Sequence, residues 1–242
     1  MRVTLCCLLI FFSTLVHAFE KTDSARAKLN VSAIFSLNSN GIASIPAFSL
    51  DEPALMATLA LKKNRFSYEP VLAYGLDLKP WIIDNWFNYK IIVRPSFEFI
   101  TGINISAYFS EYALSGDSIL QSQRYFTFAF TGVYKISPAS ALSLAYWNDR
   151  GQDKGTLMGH FISLMGERSG IKIMKNLLLS VNIQLYYINY SGNNDGLFLS
   201  PKISSTIKSL PFTVLFQCNQ ALVSNISPFP GFTWNVGIGY TL

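Results

Sequence analysis

The chain closes on FTWNVGIGYTL, residues 232–242. Every second residue of it, Phe232, Trp234, Val236, Ile238, Tyr240 and Leu242, is large and apolar. The residues between them, Thr233, Asn235, Gly237, Gly239 and Thr241, are small or polar. Successive side chains on a strand point to opposite faces, so this segment has one apolar face and one wet face. A soluble sandwich can alternate in the same way. Here the chain ends on the pattern and much of the sequence repeats it, which predicts the closing strand of a transmembrane β-barrel.

Composition points the same way. Half of the 242 residues are apolar and only 14% are charged, a balance that needs an apolar solvent on one side or a very large core. Past the N-terminus no uninterrupted apolar run reaches about 18 residues, which excludes membrane-spanning helices. Any crossing must therefore be made by strands.

Residues 1–18 read as a secretory signal peptide, with Arg2 as the positive start, CCLLIFFSTLV as the apolar centre and Val16-His17-Ala18 as the cleavage site. Residues 19–26 form a polar leader, and residues 27–242 the barrel. Cleavage removes Arg2 and no acid, lowering the net charge from +5 to +4. It also removes Cys6 and Cys7, and the remaining Cys218 cannot form a disulfide within the chain. Cys218 alternates with Phe212, Val214 and Phe216, the placement of a small hydrophobe facing lipid or core. Asn-Xaa-Ser triplets begin at Asn30, Asn104, Asn189 and Asn225, and several fall within predicted strands, which reads as chance.

The rest of the chain reads as hairpins, about twelve strands in all. Leu29, Val31, Ala33, Phe35 and Leu37 form the first apolar stripe. Residues 38–53 then read either as a long external loop or as a segment (GIASIPAFSL) folded against the barrel wall. Short connections are expected at 62–65, near Lys90, at 137–140 and at 209–211. Longer polar ones are expected at 38–53, 110–123, 149–155, 191–196 and 223–230. Residues 77–80 and 167–176 break this alternation, one as a short loop and the other as a long turn. Short turns at one end and long loops at the other are characteristic of outer-membrane barrels. The strand near Phe97, Phe99, Ile103, Ile105 and Phe109 is long enough to project beyond the bilayer. Trp81, Tyr89, Tyr108, Tyr134, Tyr146, Trp147, Tyr187, Tyr190 and Tyr240 sit near strand ends, as interfacial aromatic girdles do. The alternation is least regular over residues 156–166.

On these residues the chain resembles a Gram-negative outer-membrane β-barrel. In the ending W-N-V-G-I-G-Y-T-L, Tyr240 stands third from the end, as in the signal that barrel-assembly machinery reads. Leu242 departs from the usual terminal Phe and suits the looser endings of Bacteroidota barrels. GIASIPAFSL followed by short hairpins is likewise similar to small, functionally uncharacterised barrels of that phylum. The resemblance implies residence in the cell outer membrane, contact with its lipid and lipopolysaccharide, and assembly through the C-terminal strand.

Charged side chains cannot cheaply face lipid at mid-depth, so the barrel reading turns Glu69, Asp77, Asp84, Lys90, Arg94, Glu98 and Lys202 toward the lumen. Such a lining suits a narrow, porin-like channel for small polar solutes. It equally suits interior salt bridges that plug a structural or surface-interaction barrel. Eight strands are filled by their side chains and sixteen leave a wide channel, so twelve does not decide. Paired interior charges favour the filled barrel, and unpaired ones the conduit.

A barrel-wall lipid hydrolase needs a His near a Ser. His160 is the one histidine of the mature chain, and Ser163 is three residues away, on the opposite face of a strand. No catalytic residue is assigned and no enzyme activity is expected. No His, Cys or carboxylate cluster has metal-ligand spacing, and no Gly-rich phosphate loop occurs. No metal, cofactor or nucleic acid is therefore expected. The mild, dispersed basic balance suits anionic headgroups.

Overall fold

The alternation of the last strand becomes a wall. Phe232, Trp234, Val236, Ile238 and Tyr240 stand exposed on the outside, while Thr233 and Asn235 are buried inside. In the computed structural model, which describes residues 28–114, 117–191, 194–226 and 231–242, every strand among the described residues joins one sheet. The expected signal peptide and polar leader lie outside the described residues.

The described residues form twelve strands: β1 (Asn30–Asn38), β2 (Ala54–Lys63), β3 (Phe66–Gly75), β4 (Pro80–Val93), β5 (Phe97–Leu114), β6 (Asp117–Ser137), β7 (Ser140–Gly151), β8 (Met158–Lys172), β9 (Leu177–Tyr190), β10 (Asn194–Ile207), β11 (Phe212–Ser224) and β12 (Phe232–Thr241). Each pairs antiparallel with its sequence neighbours, and β1 also pairs with β12, closing the barrel. Both ends of the barrel chain lie at one rim, the lower, with the short turns. Among the described residues no helix is long and apolar enough to cross a membrane.

The outer wall carries a continuous apolar band, including Phe35, Leu72, Ile105, Phe128, Leu144, Ile183 and Val214. Soluble monomers rarely expose apolar patches above a few hundred Å². From Phe232 to Tyr240, at ~3.4 Å per residue on a strand tilted by ~40°, the band is on the order of 20 Å tall, close to a membrane's apolar core. Cys218 lies on this outer face, paired with Trp234.

Several stretches expected to be loops are strand. β5 and β6 run 18 and 21 residues, about twice what a bilayer crossing needs, so most of residues 110–123 is a hairpin rising above the upper rim. β7 continues through Asn148, Asp149 and Arg150, and the following connection is 152–157. β8 continues to Lys172, so the turn expected over 167–176 shrinks to 173–176. Gly170 adopts a left-handed backbone (φ +67°) where the β8–β9 register shifts, between Arg168 and Ile171. That extra residue is what hid the strand. Over residues 158–166 the register is regular, with Phe161 and Ser163 buried inside and His160, Ile162 and Leu164 outside.

Four aromatics expected in the girdles turn inward instead: Trp81, Tyr108, Trp147 and Tyr190. A bulge in the β3–β4 pairing between Ala73 and Tyr74 breaks the alternation, so Trp81 and Ile82 are both buried, Trp81 at 2% exposure. The other three share the inner face by register with Ser106, Ala129 and Gly159 partners or neighbours. Tyr89, Tyr134, Tyr146, Tyr187 and Tyr240 remain outside.

Gly159 shows how tightly the interior is filled. It pairs with Asp149 and Tyr190 on the inner face, and a Cβ there would fall inside the Tyr190 ring. Gly159→Val should therefore lower stability by about 1–3 kcal/mol, read as a lower urea midpoint for the protein refolded in vesicles. An unchanged midpoint would refute the packing of Tyr190 over this glycine.

Candidate functional site: the barrel lumen

The inner face is sorted by height. At the lower end a cavity of about 500 Å³ is lined by Asn30, Lys62, Glu69, Asn88, Lys90, Glu98 and Thr131, among others. Glu98 is held by two ammonium groups, Lys90 at 2.8 Å and Lys135 at 2.5 Å, and Lys62 meets Glu69 at 3.0 Å. Lys202 shares this face, opposite Asn182 and Gln217, and among the described residues it makes no ion pair.

A polar ring lies above. Asn104 donates to Asp84 (3.2 Å), and Asp149, 3% exposed, accepts from Thr127 (2.6 Å) and Tyr190 (3.0 Å). These two carboxylates are met by neutral donors, where the lower ones are met by lysines. Tyr186 donates to the buried Asn219 at 2.8 Å.

The upper half is closed by residues 39–53, which fold into the lumen. Of the two expected dispositions, the inward one is observed. Gly41 and Glu52 share a backbone bond (2.8 Å), Leu50 returns to Gly41 (2.8 Å), and a single 3-10 turn forms at Pro46–Phe48. Ala43 packs with Ala54, Ala73, Trp81 and Ile82 of β2–β4. Ile45 packs with Phe161, Tyr186, Ile188, Tyr190 and Phe198 of β8–β10, on the far wall. Phe48 touches both clusters, stacks on Tyr108 (4.2 Å) and meets Tyr125 edge-on (5.2 Å). The Trp81 indole N–H donates to the Phe48 carbonyl at 2.7 Å. The segment thus bridges opposite walls with apolar contacts. Trp147, Phe161, Tyr186 and Phe198 continue the packing as a stacked series around the wall.

The candidates named from sequence divide accordingly. Glu69, Asp84, Lys90, Glu98 and Lys202 share the inner face. Arg94 does not: it lies exposed in the 94–96 turn between β4 and β5, below the wall, where no strand pairing fixes a face. Asp77 lies in the upper 76–79 connection, away from the lower charges. Sequence reasoning missed Asp149, which sits in a quartet that reads as a loop, and Lys135, which precedes a turn. The period-2 alternation of Lys135 with Val133, and of Asp149 with Ser143 and Ala145, would have placed both inside.

The fold has known counterparts. A KdgM porin superposes with a TM-score of 0.58 over 86% of this chain and 98% of that one, at 10% identity. The COG4313 outer membrane channel from Pseudomonas putida F1 superposes with a TM-score of 0.51 over 92% and 99%, also at 10% identity. The chain has the fold of an outer-membrane β-barrel. No protein-family model matches it, and no curated protein matches it. In barrels of this fold the rim with the short turns is the periplasmic one, so the lower rim corresponds to that end and the upper rim to the external one.

The external rim is tethered by ion pairs. Lys79 joins Asp77 (3.1 Å) and Glu111, beside a mouth cavity of about 700 Å³ floored by Phe48, Trp81 and Tyr108. Arg124 grips Asp153 of the 152–157 connection at 2.5 Å. The Lys79 backbone N–H, and then its ammonium, hold the Asp77 carboxyl below its ordinary value; the Arg124 guanidinium does the same for Asp153. Both tethers are thus complete above the ordinary aspartate pKa of about 3.9 and are lost as pH falls through the depressed folded values. NMR titration of the two carboxyls should give midpoints below about 3.9. Midpoints at or above it would mean that the tethers are absent in solution.

Proposed function

We propose that the chain is a narrow, porin-like outer-membrane channel for small polar solutes, shut in this conformation by residues 39–53. The observation that carries the reading is the nature of the closure. A polar, charge-bearing lumen open to the periplasm is capped by a connecting segment, and no strand has to move to uncover it. Lys202, an inner-face cation with no ion pair among the described residues, fits a wetted path better than a plug of salt bridges. The likeness to a porin and to a channel supports the same reading. No catalytic constellation is proposed, since His160 and Ser163 point to opposite sides of the wall.

A second reading has its own support. The apolar packing of Ile45 and Phe48, with Glu98 and Glu69 fully paired, suits a non-conducting structural or surface-interaction barrel. We further infer that barrel-assembly machinery reads the outward face of β12 through Tyr240, and that the outer wall contacts lipopolysaccharide. The ending in Leu242 is the ground for a Bacteroidota-like origin.

Planar-bilayer recording separates the two readings. Wild-type protein, shown folded by a heat-modifiable gel shift, should give small or infrequent current steps. Replacing residues 41–50 with a short Gly-Ser linker should give larger and steadier ones, and Lys202→Glu in that background should shift selectivity toward cations. Gly41→Val should act in the same direction as the linker. A Cβ at Gly41 would lie 2.9 Å from the Trp81 ring and the Leu50 side chain, closer than packed atoms approach. A folded linker variant that leaves the bilayer silent would establish the filled, non-conducting barrel.

A further inference from the structure

The outward face of β7 and β8 becomes polar just above the apolar band. Tyr146, Asn148 and Arg150 alternate outward along β7, and Asn148 stands opposite His160 on β8. Arg150 is flanked by Phe126 on β6 and the exposed Met158 on β8. Its Nε donates to Asn148 Oδ1 at 3.0 Å. That bond orients the amide, so Nδ2 faces the Gly159 carbonyl (3.2 Å) and His160 Nδ1 (3.4 Å). The Tyr146 hydroxyl reaches the same ring nitrogen at 2.8 Å, and its ring stacks near the imidazole. An amide NH₂ only donates, so Nδ1 takes the acceptor role and Nε2 is left as the ring's donor. The chain of bonds leaves the His160 Nε2–H and the Arg150 guanidinium as donors on one exposed patch.

The Arg150 guanidinium has no carboxylate partner among the described residues. Asp153 is taken by Arg124. Asp149, next in sequence, points to the other side of the wall and is bonded there by Thr127 and Tyr190. Asp195, two strands beyond His160 on the same outward row, is held by Asn225 (2.8 Å) and Tyr187 (3.1 Å). A cation at a membrane boundary is within reach of anionic headgroups, which attract it. Directly below, Tyr146 begins an apolar groove of about 430 Å³ that runs past Leu144, Leu142, Leu164 and Phe130.

We propose that Arg150 and His160 bind a phosphate on the headgroup of an outer-leaflet glycolipid, with one of its acyl chains in the groove beneath Tyr146. This rests on the outer-membrane placement and is independent of whether the lumen conducts. Guanidinium–phosphate recognition is charge-assisted and directional, and the adjoining groove requires that the phosphate belong to an acylated molecule.

The test is binding of diphosphorylated lipid A to the full chain in detergent micelles, read by native mass spectrometry, with folding checked by the gel shift. Arg150→Gln should weaken binding about tenfold, and His160→Phe several-fold. Arg94→Gln, in the exposed turn at the opposite rim, should leave it unchanged. If Arg150→Gln fails to fold, Arg150→Lys keeps the charge without the fork and should still weaken binding measurably. Dephosphorylated lipid A should bind every form equally weakly, and inorganic phosphate should not compete at matched concentration. The proposal fails if the Arg150 variants bind as wild type does, or if the dephosphorylated lipid binds as well. Displacement by inorganic phosphate would also overturn it, by reducing the patch to a simple ion site.

Discussion

In hydrocarbon no water is available to an unpaired peptide group, so everything in this protein depends on β1 finding β12. That seam is short. Its register runs from Ile34–Thr241 to Asn38–Gly237, while β1 pairs with β2 along its whole length. Backbone bonds beyond the ladder extend it, from Leu242 to Ala33 (2.9 Å) below and from Ser39 to Val236 (2.8 Å) above. At the top Asn235 donates to Asn38 (3.0 Å), and its carbonyl oxygen accepts from the Asn40 N–H (3.1 Å) and the Ser39 hydroxyl (3.3 Å). One buried amide therefore clips the barrel shut and fixes where residues 39–53 leave the wall. Closure of the sheet and closure of the lumen begin at the same residue.

The interior follows from strand number. Twelve strands enclose more space than wall side chains alone fill, and that space must be occupied by protein or by water. The chain does both, at different heights. Outward of Asp84 and Asp149, residues 39–53 and a set of aromatics make a core in which Ile188 and Phe198 are completely buried. Toward the periplasm the space is left to solvent and charge. The lysines gather there, where ammonium groups stay hydrated, and the carboxylates higher up are met by hydroxyl and amide donors.

Period-2 alternation made the outer wall legible because lipid imposes one rule on every strand. The apolar stripes of β1, β3, β9, β11 and β12 read directly from it, as did the strand number. What failed has a common physical origin: polarity reports the solvent around a residue, whereas strand pairing concerns its backbone. Residues 110–123 are polar because they stand in water, yet they remain paired because a hairpin need not stop at the membrane surface. Trp81 was misplaced because a bulge shifts the face by one residue without a signature in composition. Tyr108, Trp147 and Tyr190 were misplaced because an aromatic near a strand end serves a girdle or a plug equally well. Whether residues 38–53 fold inward depended on Phe48 and Ile45 finding partners on opposite walls, contacts too distant in sequence for local pattern to reveal.

The quartet Asn148-Asp149-Arg150-Gly151 shows what this costs a reading of function. As a loop it would be solvated, and its acid and base would screen one another. As strand, successive residues are parted by the wall, so Asp149 faces the lumen and Arg150 faces the membrane. Adjacent opposite charges are thereby prevented from pairing. Asp149 is satisfied inside by Thr127 and Tyr190, whose hydroxyls are neutral. Arg150 is left outside with one neutral acceptor, Asn148. The geometry that anchors the polar ring of the lumen is therefore the same geometry that parts Arg150 from its neighbouring carboxylate Asp149, and it turns a stretch that reads as a turn into chemistry on both faces of the barrel.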